Sequence, residues 1–332
     1  MKRHLASFLT ILLILLPILF GCTRTSKNLN TNEELQTNES STSDNADIID
    51  ISDYNKHASI NTLGYVLELL DENSKELKNN CINTTFGGDV KLVVDAKYFA
   101  EPVNQESINY ALTVYLDYRQ VEFSINNTKL KRYTSKSKND MSNKISLTIP
   151  TISLTGSHRL LIVSQINDYV GEGFPGSICK SIDINIGKET SYELTGKKSI
   201  GKNITSPKAY IDQGQVIVNR NFIVETDPNK GIDLPPQIFK AKKDKSISLA
   251  LRFPQSDNGG LLFLTLNSEQ IPIDDQQYLY FSDIKNPMFK KVTIKTPEKS
   301  GEYTLNAYFV HAPWEKTSDL TAVSNSIKLI VE

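Results

Sequence analysis

Histidine, the side chain that most often serves as a general base in hydrolases, occurs only four times in this chain of 332 residues. The four histidines, His4, His57, His158 and His311, lie in no Gly-x-Ser-x-Gly, His-Glu-x-x-His or Ser-x-x-Lys pattern, the spacings used for acyl transfer and metal-dependent hydrolysis. Surface and turn positions suit these histidines better than catalytic ones. We therefore predict no catalytic residue and no enzyme, although a carboxylate pair for glycoside hydrolysis needs no motif visible in a sequence.

Acidic segments could hold a cation or cooperate in proton transfer. Asp274 and Asp275 are adjacent, and adjacent side chains of a strand point to opposite faces, so we expect them in a solvated turn. Residues 227–233 resemble the start of a Ca²⁺ loop, but Ile238 stands at the twelfth position, where such loops place a bidentate Glu. We interpret this segment as a loop rich in Pro and Gly, and we predict no metal and no cofactor.

The residues that precede Cys22 in the sequence predict a chemical role for its thiol. Lys2 and Arg3 precede an apolar run over residues 5–20, and residues 19–22 read Leu-Phe-Gly-Cys. A basic head, an apolar stretch and small residues at a cleavage site make an export signal. With Cys22 directly after that site, the segment resembles the lipobox of bacterial lipoproteins, although Phe20 is bulkier than the usual residue there.

The resemblance to lipoproteins implies a lipid anchor. Residues 1–21 would be the signal peptide, and Cys22 would carry a diacylglyceryl group with palmitate-like chains, two of which hold a protein stably at about 0.8 kcal/mol per buried methylene. An uncleaved spanning anchor is the alternative, but the run is shorter than the ~20 residues that it needs and contains Pro17. We expect the rest of the chain on the extracytoplasmic face of the cell membrane, held to the lipid bilayer by this group.

Composition separates a tether from the folded part. Asn, Thr, Ser and Glu dominate residues 23–47, which cannot bury enough apolar surface to offset the entropy of ordering. We therefore predict a flexible tether over residues 22–50, and about 25 such residues reach roughly 30 Å. A formal charge of −1 gives no electrostatic case for binding nucleic acid.

Cys81 and Cys179 remain once Cys22 is assigned to lipid. An even number of cysteines in an exported protein makes a disulfide between them a candidate. Two separate reduced thiols are the alternative, because the sequence does not show whether the two Cα atoms approach within about 7 Å.

A repeat is the strongest internal pattern. Residues 144–186 match residues 291–331 through a shared Pro, a shared Gly and two strand-like segments, with one offset from Gly156 and Gly301 onward. Upstream, the best matches place residues 112–116 and 121–126 against residues 249–253 and 262–267.

The matched segments alternate apolar and polar residues with period two, as in Ile145, Leu147 and Ile149. This period is typical of a strand with one buried face. Short strands, regular turns and few helical periods predict an all-β fold of two tandem antiparallel β-sandwiches, over residues 86–190 and 205–332.

The segment Gly301-Glu302-Tyr303 resembles the corner of immunoglobulin-like domains, where the Tyr hydroxyl bonds back across the turn. In the first copy His158 takes the Tyr position, and neither copy has the Cys–Trp–Cys core of antibody domains. The resemblance covers about residues 86–332, implies an immunoglobulin-like architecture and reaches no specific family.

Residues 51–85 differ from the sandwiches. Leu63, Val66, Leu67 and Leu70 are spaced i, i+3, i+4 and i+7, which favours a helix covering the first sandwich. A pair of strands turning at residues 71–74 is the competing interpretation.

One loop near the end of each copy carries aromatic residues beside Pro. Tyr169 and Phe174 belong to the first of these loops, and His311 and Trp314 to the second. Aromatic side chains supply rigid contact area for a sugar or a protein groove. We consider them candidate binding residues, with the alternative that Phe174 and Trp314 fold back to close the end of each core.

These patterns together predict a lipid-anchored extracytoplasmic protein with a non-catalytic binding, spacer or assembly role. Its partner would be an unidentified protein or an envelope polymer. An envelope enzyme acting on glycan, or its accessory module, is the first alternative. A protease-inhibitor-like sandwich that presents one extended loop is the second.

Overall fold

The computed structural model describes residues 47–48, 62–101, 107–138, 140–151, 153–166, 176–188, 211–212, 215–216, 223–225, 238–253, 259–281, 288–313, 321–324 and 326–332. Within these ranges the chain is almost entirely β-strand, with one turn of 3₁₀ helix at Lys78–Asn80. The predicted all-β fold is confirmed. In the same ranges, no helix has the length and apolar character needed to cross a membrane.

The described residues form 24 strands. The first twelve are β1 (Asp47–Ile48), β2 (Thr62–Leu70), β3 (Cys81–Thr84), β4 (Val90–Glu101), β5 (Ser107–Leu116), β6 (Arg119–Gln120), β7 (Phe123–Ile125), β8 (Thr128–Leu130), β9 (Tyr133–Lys138), β10 (Ser142–Ile149), β11 (Gly156–Ile166) and β12 (Ser177–Ile186). The others are β13 (Ile211–Asp212), β14 (Gln215–Val216), β15 (Ile223–Glu225), β16 (Ile238–Ala241), β17 (Ser246–Phe253), β18 (Gly260–Leu266), β19 (Glu269–Ile271), β20 (Leu279–Phe281), β21 (Met288–Lys295), β22 (Gly301–His311), β23 (Thr321–Val323) and β24 (Ile327–Val331).

Several of the hairpins close through two-residue turns. Both central residues have positive φ, between 46° and 67°, at residues 117–118, 126–127, 267–268 and 274–275. Such φ values define the type I′ turn, which fits the twist of the flanking strands and favours Asn and Asp. Asp274 and Asp275 are therefore turn residues, as predicted from their adjacency.

The first sandwich has two sheets around one core. One sheet has the strand order β2-β4-β10-β7-β8, and the other has the order β3-β12-β11-β5-β6, with β9 also paired to β5. Alternate residues of both sheets meet inside, among them Leu92, Val94, Val114 and Ile162, each at most 1% exposed. The period-two pattern of the sequence is what places these side chains on the inner faces.

The second sandwich repeats this arrangement. One sheet has the order β15-β17-β21, and the other has β1-β16-β24-β22-β18-β19, with β20 paired to β18 and β23 to β22. Its core includes Leu249, Leu251, Leu264 and Phe309, all fully buried. In both sandwiches a short strand lies parallel to the last strand of the copy: β3 beside β12, and β16 beside β24.

The topology confirms one part of the predicted repeat and corrects another. β10, β11 and β12 occupy the places that β21, β22 and β24 occupy in the second copy. The upstream match is wrong, because β5 pairs with β11 as β18 pairs with β22. Residues 112–116 therefore correspond to residues 262–266, not to 249–253. Alternation alone does not distinguish one strand of a sandwich from its neighbour.

The helix predicted within residues 51–85 is wrong. Residues 62–70 form β2, which pairs antiparallel with β4 over nine residues. Leu67 and Leu69 are buried while Val66 and Glu68 are exposed, so the period is two and not 3.6. The competing interpretation, a pair of strands turning at residues 71–74, is right in part: β2 ends at this turn and Leu70 forms a single bridge with Glu76, but residues 75–77 form no strand.

Residues 47–48 correct the extent of the tether. They were expected to be unstructured, yet they form β1, antiparallel to β16. The signal peptide, Cys22 and the tether up to residue 46 lie outside the described residues.

The predicted corner is present in both copies. The Tyr303 hydroxyl donates to the carbonyl oxygen of Lys299 at 2.9 Å. In the first copy, Nε2 of His158 lies 3.1 Å from the carbonyl oxygen of Thr155, and Nδ1 lies 2.8 Å from a carboxylate oxygen of Asp117. The imidazole thus makes the same kind of backward bond that the phenol makes, which accounts for His at a Tyr position.

Candidate functional site

The outer faces of two sheets, one from each sandwich, pack against each other. Their strands β5, β11, β18 and β22 have few exposed residues on either face. We call the shared layer the seam. Its buried members are Tyr115, Tyr118, Leu161, Val163, Leu261, Phe263, Tyr278, Tyr308 and Val310, each at most 8% exposed. A layer of this composition is as dry as a domain core, so the two sandwiches are held together by the hydrophobic effect.

Aromatic rings fill the middle of the seam. Phe263 stacks on Tyr308 with ring centroids 4.8 Å apart and an interplanar angle of 13°. Tyr115 of the first sandwich also contacts Phe263, with ring centroids 4.8 Å apart and an interplanar angle of 41°. The Tyr308 hydroxyl lies 3.1 Å from Oγ of Ser177, which belongs to the first sandwich. Rings and hydroxyls therefore interlock across the boundary.

Two glutamines bind each other reciprocally at the edge of the seam. The backbone amide of Gln120 donates to the side-chain Oε1 of Gln270 at 2.8 Å, and the backbone amide of Gln270 donates to the side-chain Oε1 of Gln120 at 2.7 Å. The side-chain amides continue the pattern, since Nε2 of Gln120 donates to the Ser268 carbonyl at 3.4 Å and Nε2 of Gln270 to the Tyr118 carbonyl at 3.0 Å. We call these four bonds the glutamine clasp. Gln120 and Gln270 occupy equivalent places in β6 and β19, so the clasp lies on a pseudo-twofold axis.

Contacts at the two ends of the seam show that the facing strands run in opposite directions. The Tyr118 hydroxyl, in the turn after β5, donates to the carbonyl oxygen of Pro313, just beyond β22, at 3.2 Å. Ser268, in the turn after β18, donates to Oε1 of Gln165, near the end of β11, at 2.8 Å. The stems of the two aromatic loops therefore leave the seam at opposite ends.

This geometry bears on the candidate binding residues. Tyr169, Phe174 and Trp314 lie outside the described residues, so their binding role stays a prediction. His311 is described: its ring meets that of Phe309 edge-on at 4.7 Å, and burial lowers the pKa of the imidazole. A ring placed in this way supports the end of β22, from which the second aromatic loop continues.

A buried ion pair lies beside Tyr118. Arg159 is 1% exposed, and its Nε lies 3.1 Å from Oδ1 of Asp183. The backbone amide of Arg159 donates to Asp117, which also holds His158. Charges buried in this way are costly to separate, so the pair fixes the start of β11 against β12.

The two remaining cysteines are not joined by a disulfide. Cys81 lies opposite Asp183 in the register of β3 and β12, and Cys179 lies four residues earlier on β12. Four residues of strand span about 13 Å, well beyond the roughly 7 Å that a disulfide tolerates. The alternative of separate thiols is therefore correct. Cys179 packs against the seam, and burial raises the pKa of its thiol.

The other candidates for chemistry have structural partners. Oδ1 of Asp274 accepts from the amide of Thr293 at 2.8 Å, and the second carboxylate oxygen lies 3.7 Å from Lys290. Among the described residues, no group of three His, Cys, Asp or Glu side chains could hold a metal ion. His57 and the acidic loop at residues 227–233 lie outside these ranges.

Sequence reasoning missed the seam and its clasp. Gln120 and Gln270 carry no motif, and the partners of each bond are about 150 residues apart in the chain. One signal was available: residues 110–116 and 261–266 contain apolar side chains at consecutive positions, where a half-exposed strand would alternate. Near-continuous apolar strands are typical of sheets covered on both faces.

Burial also shifts the pKa of several tyrosine hydroxyls. It raises the pKa of Tyr110 to about 12, and it raises the pKa of Tyr98, Tyr115, Tyr118 and Tyr308 as well. The cause is desolvation, since a phenolate in an apolar layer loses the hydration that stabilises its charge.

Comparisons with known proteins found only distant similarities. No protein-family model and no curated protein matches the sequence. Among solved structures, the CARDB domain of the PF1109 protein from Pyrococcus furiosus, in complex with di-metal ions, shows 14% identity and a TM-score of 0.25, covering 40% of this chain and 97% of that one. The fibronectin(III)-like modules of Clostridium thermocellum CbhA show 12% identity and a TM-score of 0.20. This match covers 75% of the present chain and 88% of the CbhA chain. The assignment of the fold rests on the strand topology itself.

The glutamine clasp predicts that each glutamine side chain stabilises the contact between the sandwiches. Gln120→Ala removes the bonds of Oε1 and Nε2 of Gln120, and Gln270→Ala removes those of Gln270, so the two variants lose different bonds across the seam. Each variant should lower the free energy of urea unfolding by about 1–3 kcal/mol, because it leaves a backbone amide of the other glutamine without its acceptor. Gln276→Ala, an exposed turn glutamine, is the matched control and should change stability by less than about 0.5 kcal/mol. Losses at Gln120 and Gln270 no larger than that of the control would contradict the clasp.

The buried tyrosines predict a loss of stability in alkali. Their folded pKa values lie above the value of about 10 in an unfolded chain, so the folded state keeps protons that the unfolded state releases. The free energy of unfolding should therefore be unchanged up to about pH 9 and fall as the pH rises from about 10 through 12. Tyrosinate absorbance near 295 nm should show one group of exposed residues ionising first and a second group ionising only with unfolding. A single step near pH 10 in folded protein would refute the prediction.

Proposed function

We propose that this chain is a lipid-anchored extracytoplasmic protein whose two immunoglobulin-like sandwiches form one rigid, non-catalytic module for binding and spacing. The observation that carries the proposal is the seam. Two domains joined by a flexible linker would adopt many relative orientations, whereas domains that share a dry aromatic layer and a reciprocal clasp keep one. A fixed orientation is what a spacer or an assembly partner needs.

The direction of the facing strands supports a spacing role. The stem at Gln165 and the stem at Pro313 lie at opposite ends of the seam, where each contacts a turn of the other sandwich. The two aromatic loops continue from these stems, and we propose that a partner protein or an envelope polymer is contacted at each end of the seam.

The roles of the titratable side chains support a function without catalysis. His158 closes a corner, Asp274 holds a turn, and Arg159 with Asp183 forms a buried ion pair beside the seam. A catalytic base is usually left accessible to a substrate and close to a nucleophile. These groups are engaged in the fold instead.

The membrane anchor rests on the lipobox-like segment ending at Cys22. Bacteria that express the protein in labelled palmitate should incorporate the label into the wild type, and the Cys22→Ser variant should carry none. Membrane fractionation should place the wild type with the envelope. An unlabelled wild type would refute the anchor, and release of sugars from envelope polymer by the purified protein would refute the non-catalytic role.

A further inference from the structure

One edge of the second sandwich already carries an added strand. β1 pairs antiparallel with β16, with Asp47 opposite Lys240 and Ile48 opposite Phe239. Without β1, β16 would be the last strand of its sheet. Edge strands expose open backbone donors and acceptors, and a short extended segment satisfies them. The chain thus uses its own tether to cover this edge.

The equivalent edge of the first sandwich is β3. It lies parallel to β12 as β16 lies parallel to β24, and within the described ranges no strand pairs with its other side. A groove of about 730 Å³ opens along β3, and all four residues of the strand line it. This volume falls within the range of about 300–1,000 Å³ that is common for ligand clefts.

The chemistry of the groove suits a main chain better than a charged small molecule. Charges of both signs line it nearly in balance: Lys75, Lys78, Lys91, Asp71, Glu72, Glu76 and Asp89. The Asp71 carboxylate already accepts from the backbone amides of Asn73 and Lys75 at 2.9 and 2.8 Å. Phe86, in the loop between lining residues Thr84 and Asp89, is 65% exposed and offers an apolar contact at the rim.

We propose that the β3 edge binds an extended segment of another polypeptide as an added strand. The occupant of the equivalent edge indicates its chemistry: residues 46–51, which include β1, read Ala-Asp-Ile-Ile-Asp-Ile and mix acidic with β-branched apolar residues. In strand addition, backbone hydrogen bonds supply affinity, and contacts to alternate side chains supply selectivity. Phe86 and the partly buried Ile82 provide such contacts here. The proposal rests on the binding role proposed above but not on the lipid anchor.

The reactivity of the Cys81 thiol can report whether the groove is occupied, because Cys81 lies on β3 and lines the groove. In detergent-purified full-length protein carrying Cys22→Ser and Cys179→Ala, Cys81 is the sole remaining thiol. A synthetic peptide of residues 43–53 should slow alkylation of Cys81 about sixfold at five times its dissociation constant, since only unoccupied protein reacts. Amide hydrogen exchange at residues 81–84 should slow in parallel.

Two controls make the result specific. A peptide with Ile48→Pro lacks a backbone donor and should give no protection. The Phe86→Ser variant, altered at an exposed position, should keep its thermal stability and bind the peptide more weakly. No protection, or equal protection by the proline peptide, would overturn the proposal, as would protection of Cys81 by self-association without peptide. These outcomes leave palmitate labelling unaffected, so failure here is distinct from failure of the anchor.

Discussion

Two sheets with apolar outer faces cannot both remain in water, and covering them against each other is the constraint on which this structure depends. Tyr115, Phe263 and Tyr308 supply the area, and the glutamine clasp supplies the register. The four bonds of the clasp require one relative position of the two sheets, so a slide of one sheet over the other would break them together. The seam therefore fixes position and orientation at once, and the pseudo-twofold axis through Gln120 and Gln270 follows from the repeat.

The seam also decides which surfaces are left for recognition. The seam covers one face of each sandwich, so the surfaces left exposed are the loop ends, the outermost sheets and the strand edges. Proteins usually protect an edge strand by keeping it short, by placing a charge on it or by covering it with another segment. β1 pairs with β16 and covers that strand, whereas a groove lies along β3. Two copies of one fold thus differ where a partner could distinguish them.

The sequence predicted what depends on local pattern. Period-two alternation identified β10, β12 and their counterparts, and the spacing before Tyr303 identified a corner that the hydroxyl bond to Lys299 confirms. Prediction from the sequence failed where a pattern is ambiguous. The spacing of Val66, Leu67 and Leu70 is compatible with a helix, but these residues form a strand that pairs with β4. The clasp could not be predicted, because no local signal links residues 150 positions apart. The aromatic loops and Cys22 remain predictions from the sequence.

Calorimetry of a seam variant tests the central claim most directly. Leu261 is fully buried in the seam, and Leu261→Asp would place an unpaired charge there, whereas Val66→Asp adds the same charge at an exposed strand position. We predict one cooperative transition for the wild type and for Val66→Asp, with calorimetric and van't Hoff enthalpies equal, and two separate transitions for Leu261→Asp. Two transitions in the wild type, or an unchanged single transition in Leu261→Asp, would contradict a seam that unites the sandwiches.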